Sequence, residues 1–171
     1  MNLLPDRKMA ILAACLSALM LAAVSEETSD KRADKEFNLD KDGLAIQGYD
    51  PVAHFDGGGG QPTPGQASIT ETVGKTTYRF ATAANRDRFR ENPAKYEPAY
   101  GGWCAYAMGA KGEKVEVNPK AFTITDGKLC LFYKTIITDT RKPWKKDVAT
   151  LKPKADASWK AIVEKAIAEA K

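Results

Sequence analysis

Three side chains that could bind a soft metal ion stand in the middle of this chain. His54 is its one histidine, Cys104 follows a Gly-Gly-Trp sequence, and Met108 comes four residues later. An imidazole, a thiolate and a thioether together suit an ion such as Cu(I). We therefore take His54, Cys104 and Met108 as candidate metal ligands, with copper or another soft metal ion as the candidate cofactor. The structural alternatives are a hydrogen-bonded histidine, an inert thiol and a core methionine.

The cysteines allow a second kind of chemistry. Cys104 and Cys130 could form a disulfide, remain buried thiols, or supply a redox-active thiol at Cys104. The sequence leaves these alternatives open.

A further set of residues could bind a small ligand through aromatic faces and polar groups. Gly101 and Gly102 would let the main chain approach such a ligand closely. Packing in the core of a small domain is the alternative for the aromatic members. The candidate ligand-binding residues are Tyr49, Asp50, Tyr100, Trp103 and Tyr106.

Motifs typical of enzymes are missing from the sequence. The glycine run 57–60 lacks the Lys-Ser/Thr that follows it in a phosphate-binding loop. A Ser-His-Asp triad would have to use His54, and no nucleophile-elbow motif is present. The sequence therefore names no catalytic residue and favours a binding protein over an enzyme.

The N-terminus has the three parts of a secretory signal. Arg7 and Lys8 precede the apolar run 9–24, and small residues predict cleavage after Ser25. We expect residues 1–25 to be a signal peptide and the mature protein to be periplasmic or secreted. An uncleaved anchor and a lipid anchor on Cys15 are the alternatives.

Charge and hydropathy restrict the partners. The formal net charge of +4 is mild and the lysines are scattered, whereas a nucleic-acid-binding protein usually shows a clustered basic patch. No other apolar run reaches membrane length. We expect a metal ion or small ligand as the partner, with no nucleic acid and no membrane span in the mature chain.

Two β-hairpins are predicted from alternating residues around turn sequences. The first covers residues 69–80 around Gly74, and the second covers 122–133 around Asp126-Gly127. Residues 115–117 predict a short strand that ends at Asn118-Pro119. Residues 56–65 predict a mobile surface loop.

Helices are predicted from capping residues and from 3.6-residue spacing. Asp50-Pro51 predicts one short turn over residues 52–55, and Thr82 predicts the start of a helix that runs to Glu91. Residues 96–108 predict an aromatic loop, and the sequence of 135–148 fits either a helix or irregular structure. A C-terminal amphipathic helix, capped by Asp156 or Ser158, presents an apolar stripe of Trp159, Ile162, Val163, Ala166, Ile167 and Ala170.

These elements predict a small α+β domain over residues 37–171, joined to the signal peptide by a flexible tether over 26–36. No internal repeat is visible in the sequence.

An ordered set of short motifs resembles the YHS domain family, and in particular its stand-alone exported bacterial members. The resemblance covers about residues 37–165. It is carried by Gly48–Phe55, Tyr78–Phe80, Asn85-Arg86, Phe89, Asn92-Pro93, Tyr96, Tyr100–Ala105, Asp126–Leu129, Asp156 and Trp159.

The resemblance implies a fold related to treble-clef-like metal-binding modules, and metal binding is the usual proposal for the family. The cysteines of its metal-binding form are absent, because Ala53, Ala81 and a residue at or near Asn85 stand in their places. The resemblance thus implies an exported, non-enzymatic binding module. A thiol-dependent redox protein using Cys104 and an interaction or structural domain of an envelope assembly are the alternatives.

Overall fold

The computed structural model describes residues 32–170 and shows a mixed α+β domain. Two antiparallel two-stranded sheets lie among short helices, and a long helix ends the described chain. The strands are β1 Gln66–Val73, β2 Thr76–Phe80, β3 Asn118–Thr125 and β4 Lys128–Phe132. The helices are α1 Ala83–Glu91, α2 Pro93–Tyr96, α3 Ala105–Lys111, α4 Arg141–Lys146 and α5 Val148–Ala168.

The first hairpin and the helix after it agree with the sequence prediction. β1 pairs with β2 across the Gly74-Lys75 turn. The Asn85 amide then donates to Thr82 Oγ1 at 3.1 Å, so Thr82 caps α1 as expected. Phe89 anchors this helix in the core.

The second hairpin is also present, but the strand before it was predicted in the wrong place. Residues 115–117 have no strand partner in the described chain, and β3 instead begins at Asn118. Asn118 pairs with Phe132, and the next pair joins Phe122 to Leu131. This irregularity accommodates Pro119, which has no N–H to donate to a regular ladder.

The two hairpins are structural repeats. In each, an eight-residue strand pairs with a five-residue strand, and the same irregularity follows the first pair. In each hairpin, the second strand also forms an isolated parallel β-bridge with an earlier segment of the chain. Thr77 bridges to Leu44, and Leu129 bridges to Pro98. The structure therefore contains a repeat, although none is visible in the sequence.

The repeat includes the turns that precede the hairpins. Residues 46–48 and 100–102 are both left-handed three-residue turns. The chain after each turn is tied to the end of its hairpin through a side chain, Asp50 in the first copy and Cys104 in the second. The sequence hides this repeat because few residues match between the copies; Phe80 and Phe132 are an exception.

The core lies between the hairpins and the helices. Phe80 and Phe89 pack with ring centroids 5.2 Å apart, and Phe132 packs on Trp144 at 5.7 Å. The residues of 32–170 with the largest fully buried apolar side chains are Trp144, Tyr78, Phe80, Phe89, Phe132, Met108, Leu129 and Leu131.

The described part of the expected tether is packed against the domain. Asp34 is buried and accepts a hydrogen bond from the Lys75 amide at 2.6 Å. Arg32 donates two hydrogen bonds to the Glu97 carboxylate, at 3.1 and 2.6 Å. Residues 32–36 are thus ordered by a bidentate ion pair, whereas the predicted signal peptide and residues 26–31 lie outside the described chain.

The loop predicted over residues 56–65 is held by main-chain hydrogen bonds. Gly60 N–H donates to the Phe55 carbonyl at 2.9 Å, and Gln61 N–H donates to the Ala53 carbonyl at 2.8 Å. Tyr49 also forms an isolated bridge with Pro64. The glycines give this segment a folded path along the surface.

The C-terminal helix begins earlier than predicted. α5 starts at Val148 after Asp147, so Asp156 and Ser158 lie inside it and cap nothing. Among residues 32–170, none of the helices combines the length and the hydropathy needed to cross a bilayer.

The segment predicted as an aromatic loop is also partly helical. Residues 99–102 form a turn, and α3 follows from Ala105. Tyr106 and Met108 therefore lie on a helix, and Gly109 of this helix closely approaches Leu151 of α5.

Candidate functional site

Both ring nitrogens of His54 lie within hydrogen-bonding distance of main-chain carbonyl oxygens. The side chain is buried, with Nδ1 2.9 Å from the Asp50 carbonyl oxygen and Nε2 3.0 Å from the Pro119 carbonyl oxygen. The Phe122 ring packs edge-on against the imidazole, with centroids 4.8 Å apart. Neither nitrogen faces open space, so the observed geometry leaves no vacant position for a metal on this ring.

Cys104 and Met108 are fully buried as well. The Tyr133 amide donates to Cys104 Sγ at 3.3 Å, and Thr140 Oγ1 lies 3.4 Å from the same sulfur. Met108 belongs to the hydrophobic core. The contacts of Cys104 Sγ and those of the His54 ring nitrogens involve different residues.

Cys130 is a second buried free cysteine. Burial raises the pKa of its thiol to about 11, which disfavours the thiolate at neutral pH. Within residues 32–170, no three His, Cys, Asp or Glu side chains are grouped so that they could hold a metal ion.

Asp50 has a structural role in this geometry. Its Oδ1 accepts hydrogen bonds from the Val52 and Ala53 amides at 2.8 and 3.1 Å. Its Oδ2 accepts from the Ala81 amide at 2.8 Å and from Asn85 Nδ2 at 2.7 Å. The fully buried carboxylate thus joins the first short turn to the end of β2 and to α1, and is inaccessible to a ligand.

Tyr100 is the predicted ligand-binding residue that the structure places at a cleft. The cleft has a volume of about 430 Å³, within the range of small-molecule sites. Phe37, Tyr100, Gly101 and Trp159 form its apolar wall, and Glu97, Lys128, Asp156 and Lys160 supply charged groups.

The other predicted aromatic residues lie elsewhere. Trp103 Nε1 donates to the Glu36 carbonyl at 2.7 Å, while Tyr49 and Tyr106 pack partly buried against the core.

An unusual main-chain conformation shapes the cleft. Tyr100, Gly101 and Gly102 have φ values of 55°, 58° and 87°. A Cβ on Gly101 would lie 2.6 Å from Trp159 Cη2, so only glycine allows the indole to lie this close to the main chain. A non-glycine residue in the left-handed region carries strain of the kind that is often found at functional sites.

Hydrogen bonds fix the polar side of the cleft. Tyr100 Oη donates to Asp156 Oδ1 at 3.0 Å, and Lys152 Nζ lies 2.9 Å from Asp156 Oδ2. Burial, with the neighbouring Cys130 and Asp156, raises the pKa of Tyr100, so its hydroxyl remains a donor at neutral pH. Glu97 is held in place by Arg32 and by the Tyr78 hydroxyl, which donates to it at 3.2 Å.

A second, smaller hollow lies beside the first left-handed turn. It has a volume of about 250 Å³ and is lined by residues that include Ile46, Gln47 and Val117. Gln47 Nε2 donates to the Val117 carbonyl at 3.0 Å, which ties this turn to the opposite wall. The cleft at Tyr100 is larger and more aromatic, and is therefore the better candidate site.

Sequence analysis missed most of the cleft. Trp159 and Lys128 occur in the sequence analysis only in the helical stripe or the family motifs, without a ligand-binding role, and Phe37 and Glu97 are not singled out. The available signals were the aromatic residue that begins that stripe and the adjacent glycines at 101 and 102. Neither signal shows that α5 returns to cover this turn.

No protein-family model matches the chain, and neither a curated protein nor a solved structure is detectably similar to it.

Proposed function

We propose that this protein is an exported, non-enzymatic binding module of the YHS type, and that the cleft beside Tyr100 binds a small ring-bearing molecule. The observation that carries the proposal is the left-handed turn at residues 100–102, which places Gly101 against the Trp159 indole and leaves a cavity of about 430 Å³. Cavities of this size and aromatic character commonly hold small molecules.

The charges around the cleft indicate the class of ligand. Two carboxylates, Glu97 and Asp156, and two ammonium groups, Lys128 and Lys160, line it. Both carboxylates already have cationic partners, Arg32 and Lys152 respectively, and Lys160 in turn pairs with Glu164. This balance suits a neutral or zwitterionic molecule whose ring packs on Trp159.

Binding rather than catalysis fits the state of the one histidine. A general acid or base must reach its substrate by a hydrogen bond or through one water. His54 is buried and faces two main-chain carbonyl groups. Soft-metal binding and thiol-dependent redox chemistry are the other functions considered for this chain. They gain no support from His54, Cys104 or Cys130, because all three side chains are buried.

The test measures the binding of three probes to the full chain, namely indole, benzylamine and tryptophan, by saturation-transfer NMR. Tryptophan, as a zwitterion, is expected to bind best. An Ala94→Trp variant fills the cleft from an exposed lining position and should abolish the signal. Ala110→Trp adds the same side chain at an exposed position outside the cleft and should leave the signal unchanged.

Equal binding of all three probes by the two variants would place the site elsewhere and refute the proposal. Failure of every probe to bind the unmodified chain would also count against a cleft specific for ring-bearing molecules.

A further inference from the structure

Residues 134–139 form a short hairpin with two isoleucines at its tip. Lys134 and Asp139 form an antiparallel bridge, and Thr135 N–H donates to the Thr138 carbonyl at 2.8 Å. Thr138 N–H donates in turn to Thr135 Oγ1 at 3.1 Å. Ile136 and Ile137 occupy the two central positions of this turn.

Isoleucine is an unusual choice at these positions. Turn centres favour Gly, Asn, Asp and Pro, which either adopt the required dihedral angles easily or form local hydrogen bonds. Ile136 and Ile137 are 104% and 95% exposed. One exposed apolar residue is ordinary on a protein surface, but two adjacent ones on a hydrogen-bonded tip present apolar surface outward.

Basic residues flank this tip along the chain. The segment 134–146 holds five basic residues and one acidic residue, a net charge of +4 that equals the formal net charge of the whole chain. The acidic residue, Asp139, accepts a hydrogen bond from Arg141 Nε at 2.9 Å. Lys142, Lys145 and Lys146 are exposed and have no ion-pair partner within residues 32–170.

This local excess of positive charge shows that the basic residues are not evenly scattered along the chain. Arg141 lowers the pKa of Asp139 to about 2 through its hydrogen bond, so this pair stays charged and closed at neutral pH. Because Asp139 is paired with Arg141, it does not neutralise the three exposed lysines, and these remain available to an anionic surface.

We propose that this hairpin docks the protein peripherally on a bilayer that carries anionic phospholipid headgroups. Ile136 and Ile137 enter the boundary between headgroups and acyl chains, and the lysines contact lipid phosphates. Tyr133, 37% exposed at the base of the hairpin, lies at headgroup level, where its ring and its hydroxyl both find suitable surroundings.

The shape of the tip favours a bilayer over a protein partner. A stable protein interface buries roughly 800 Å² on each side, in complementary shapes. Two isoleucines and one tyrosine on a convex tip offer much less apolar area than this. A bilayer needs no matching pocket, and an apolar insertion combined with a polybasic patch supplies the two signals that lasting membrane attachment requires. The proposal does not depend on a ligand in the Tyr100 cleft.

The test follows hydrogen exchange of the peptide 133–141 in the full chain, with vesicles of phosphatidylcholine alone or mixed with phosphatidylglycerol. A local readout is needed because the apolar run 9–24 is present in every variant and could itself enter bilayers. We expect exchange to slow only with the anionic vesicles, and the protection to fall at high salt.

Two pairs of variants separate the apolar and the charged contributions. The Ile136→Ser, Ile137→Ser double variant should lose about tenfold or more of the protection, whereas Ile136→Val, Ile137→Val should keep most of it. Lys142→Gln, Lys146→Gln should weaken binding, whereas Lys41→Gln, Lys75→Gln removes equal charge from other exposed positions and should not.

Unchanged exchange on adding anionic vesicles overturns the proposal, as does protection that persists in the serine variant. Protection by an added protein in the absence of vesicles would assign the tip to a protein interface, and would equally overturn it.

Discussion

Asp50 and Cys104 occupy corresponding positions in the two structural repeats and do similar work. Asp50 Oδ2 accepts a hydrogen bond from the Ala81 amide just after β2, and Cys104 Sγ accepts one from the Tyr133 amide just after β4. Each side chain ties a left-handed turn to the end of its hairpin. Residues that attract notice as potential ligands thus serve as buried acceptors for main-chain N–H groups.

Replacing Asp50 with asparagine should destabilise the domain. The side-chain NH₂ group that this change introduces cannot accept hydrogen bonds, so at least one of the buried donors that face Asp50 loses its partner. We expect Asp50→Asn to lower the free energy of unfolding by about 2–4 kcal/mol. Urea denaturation followed by circular dichroism measures this loss.

Asp42→Asn is the matched control, because Asp42 is exposed and pairs with Lys41 at the surface. It should change the free energy of unfolding by no more than about 0.5 kcal/mol. Equal stability of the two variants would show that the buried carboxylate is not the anchor described here.

Local sequence patterns predict local contacts at this scale, and they fail for distant ones. The Asp50-Pro51 pair correctly indicated a turn, and the Val52 amide bonds to Asp50 as a capping group would. The bonds to Ala81 and Asn85 reach more than thirty residues along the chain and have no local signal. The contact between His54 Nε2 and the Pro119 carbonyl oxygen also joins distant residues and also has no local signal.

At the scale of elements, the hairpins were predictable because their turns carry strong signals. Gly74 and Gly127 both have positive φ, and Asp126-Gly127 is a typical hairpin turn sequence. The start of β3 at Asn118 was not predictable, since Pro119 normally argues against a strand and only the irregular pairing admits it. The start of α5 was missed because Pro153 lies inside that helix.

The second hairpin turn gives a clean test of the conformational role of glycine. Gly127 has a φ of +73°, and a Cβ built on it would meet no atom within 4 Å. Gly127→Ala therefore costs only backbone strain, and we expect it to lower the free energy of unfolding by about 1–2 kcal/mol. Thermal and urea denaturation both report this loss.

Gly57→Ala provides the comparison. Gly57 also has open space around its Cβ position but lacks a positive φ, so alanine should be neutral or slightly stabilising there. If both variants behave alike, the left-handed conformation at Gly127 contributes nothing to the stability of the hairpin.

At the scale of the whole molecule, α5 assembles the candidate cleft from distant segments. Trp159 on α5 packs on Phe37 near the start of the described chain, with centroids 5.9 Å apart, and on Gly101 in the middle. Arg32 and Glu97 hold the same N-terminal segment against the domain. The amphipathic stripe predicted that α5 docks, but the partner face depends on packing that no local pattern encodes.

The contact between α3 and α5 should control the stability of this whole arrangement. A Cβ on Gly109 would collide with the Leu151 carbonyl oxygen, which belongs to the backbone and cannot rotate away. Alanine gains about 1 kcal/mol of helix propensity, but overpacking costs typically about 1–3 kcal/mol and more where the neighbour is rigid. We expect Gly109→Ala to lower the free energy of unfolding by about 2 kcal/mol and to speed hydrogen exchange in α5. Ala110→Ser, at the next and exposed position of α3, should leave both quantities within error. A more stable Gly109→Ala protein with unchanged exchange would mean that α5 can shift on α3 at little cost, and the close helix contact would then not be what holds Trp159 over the cleft.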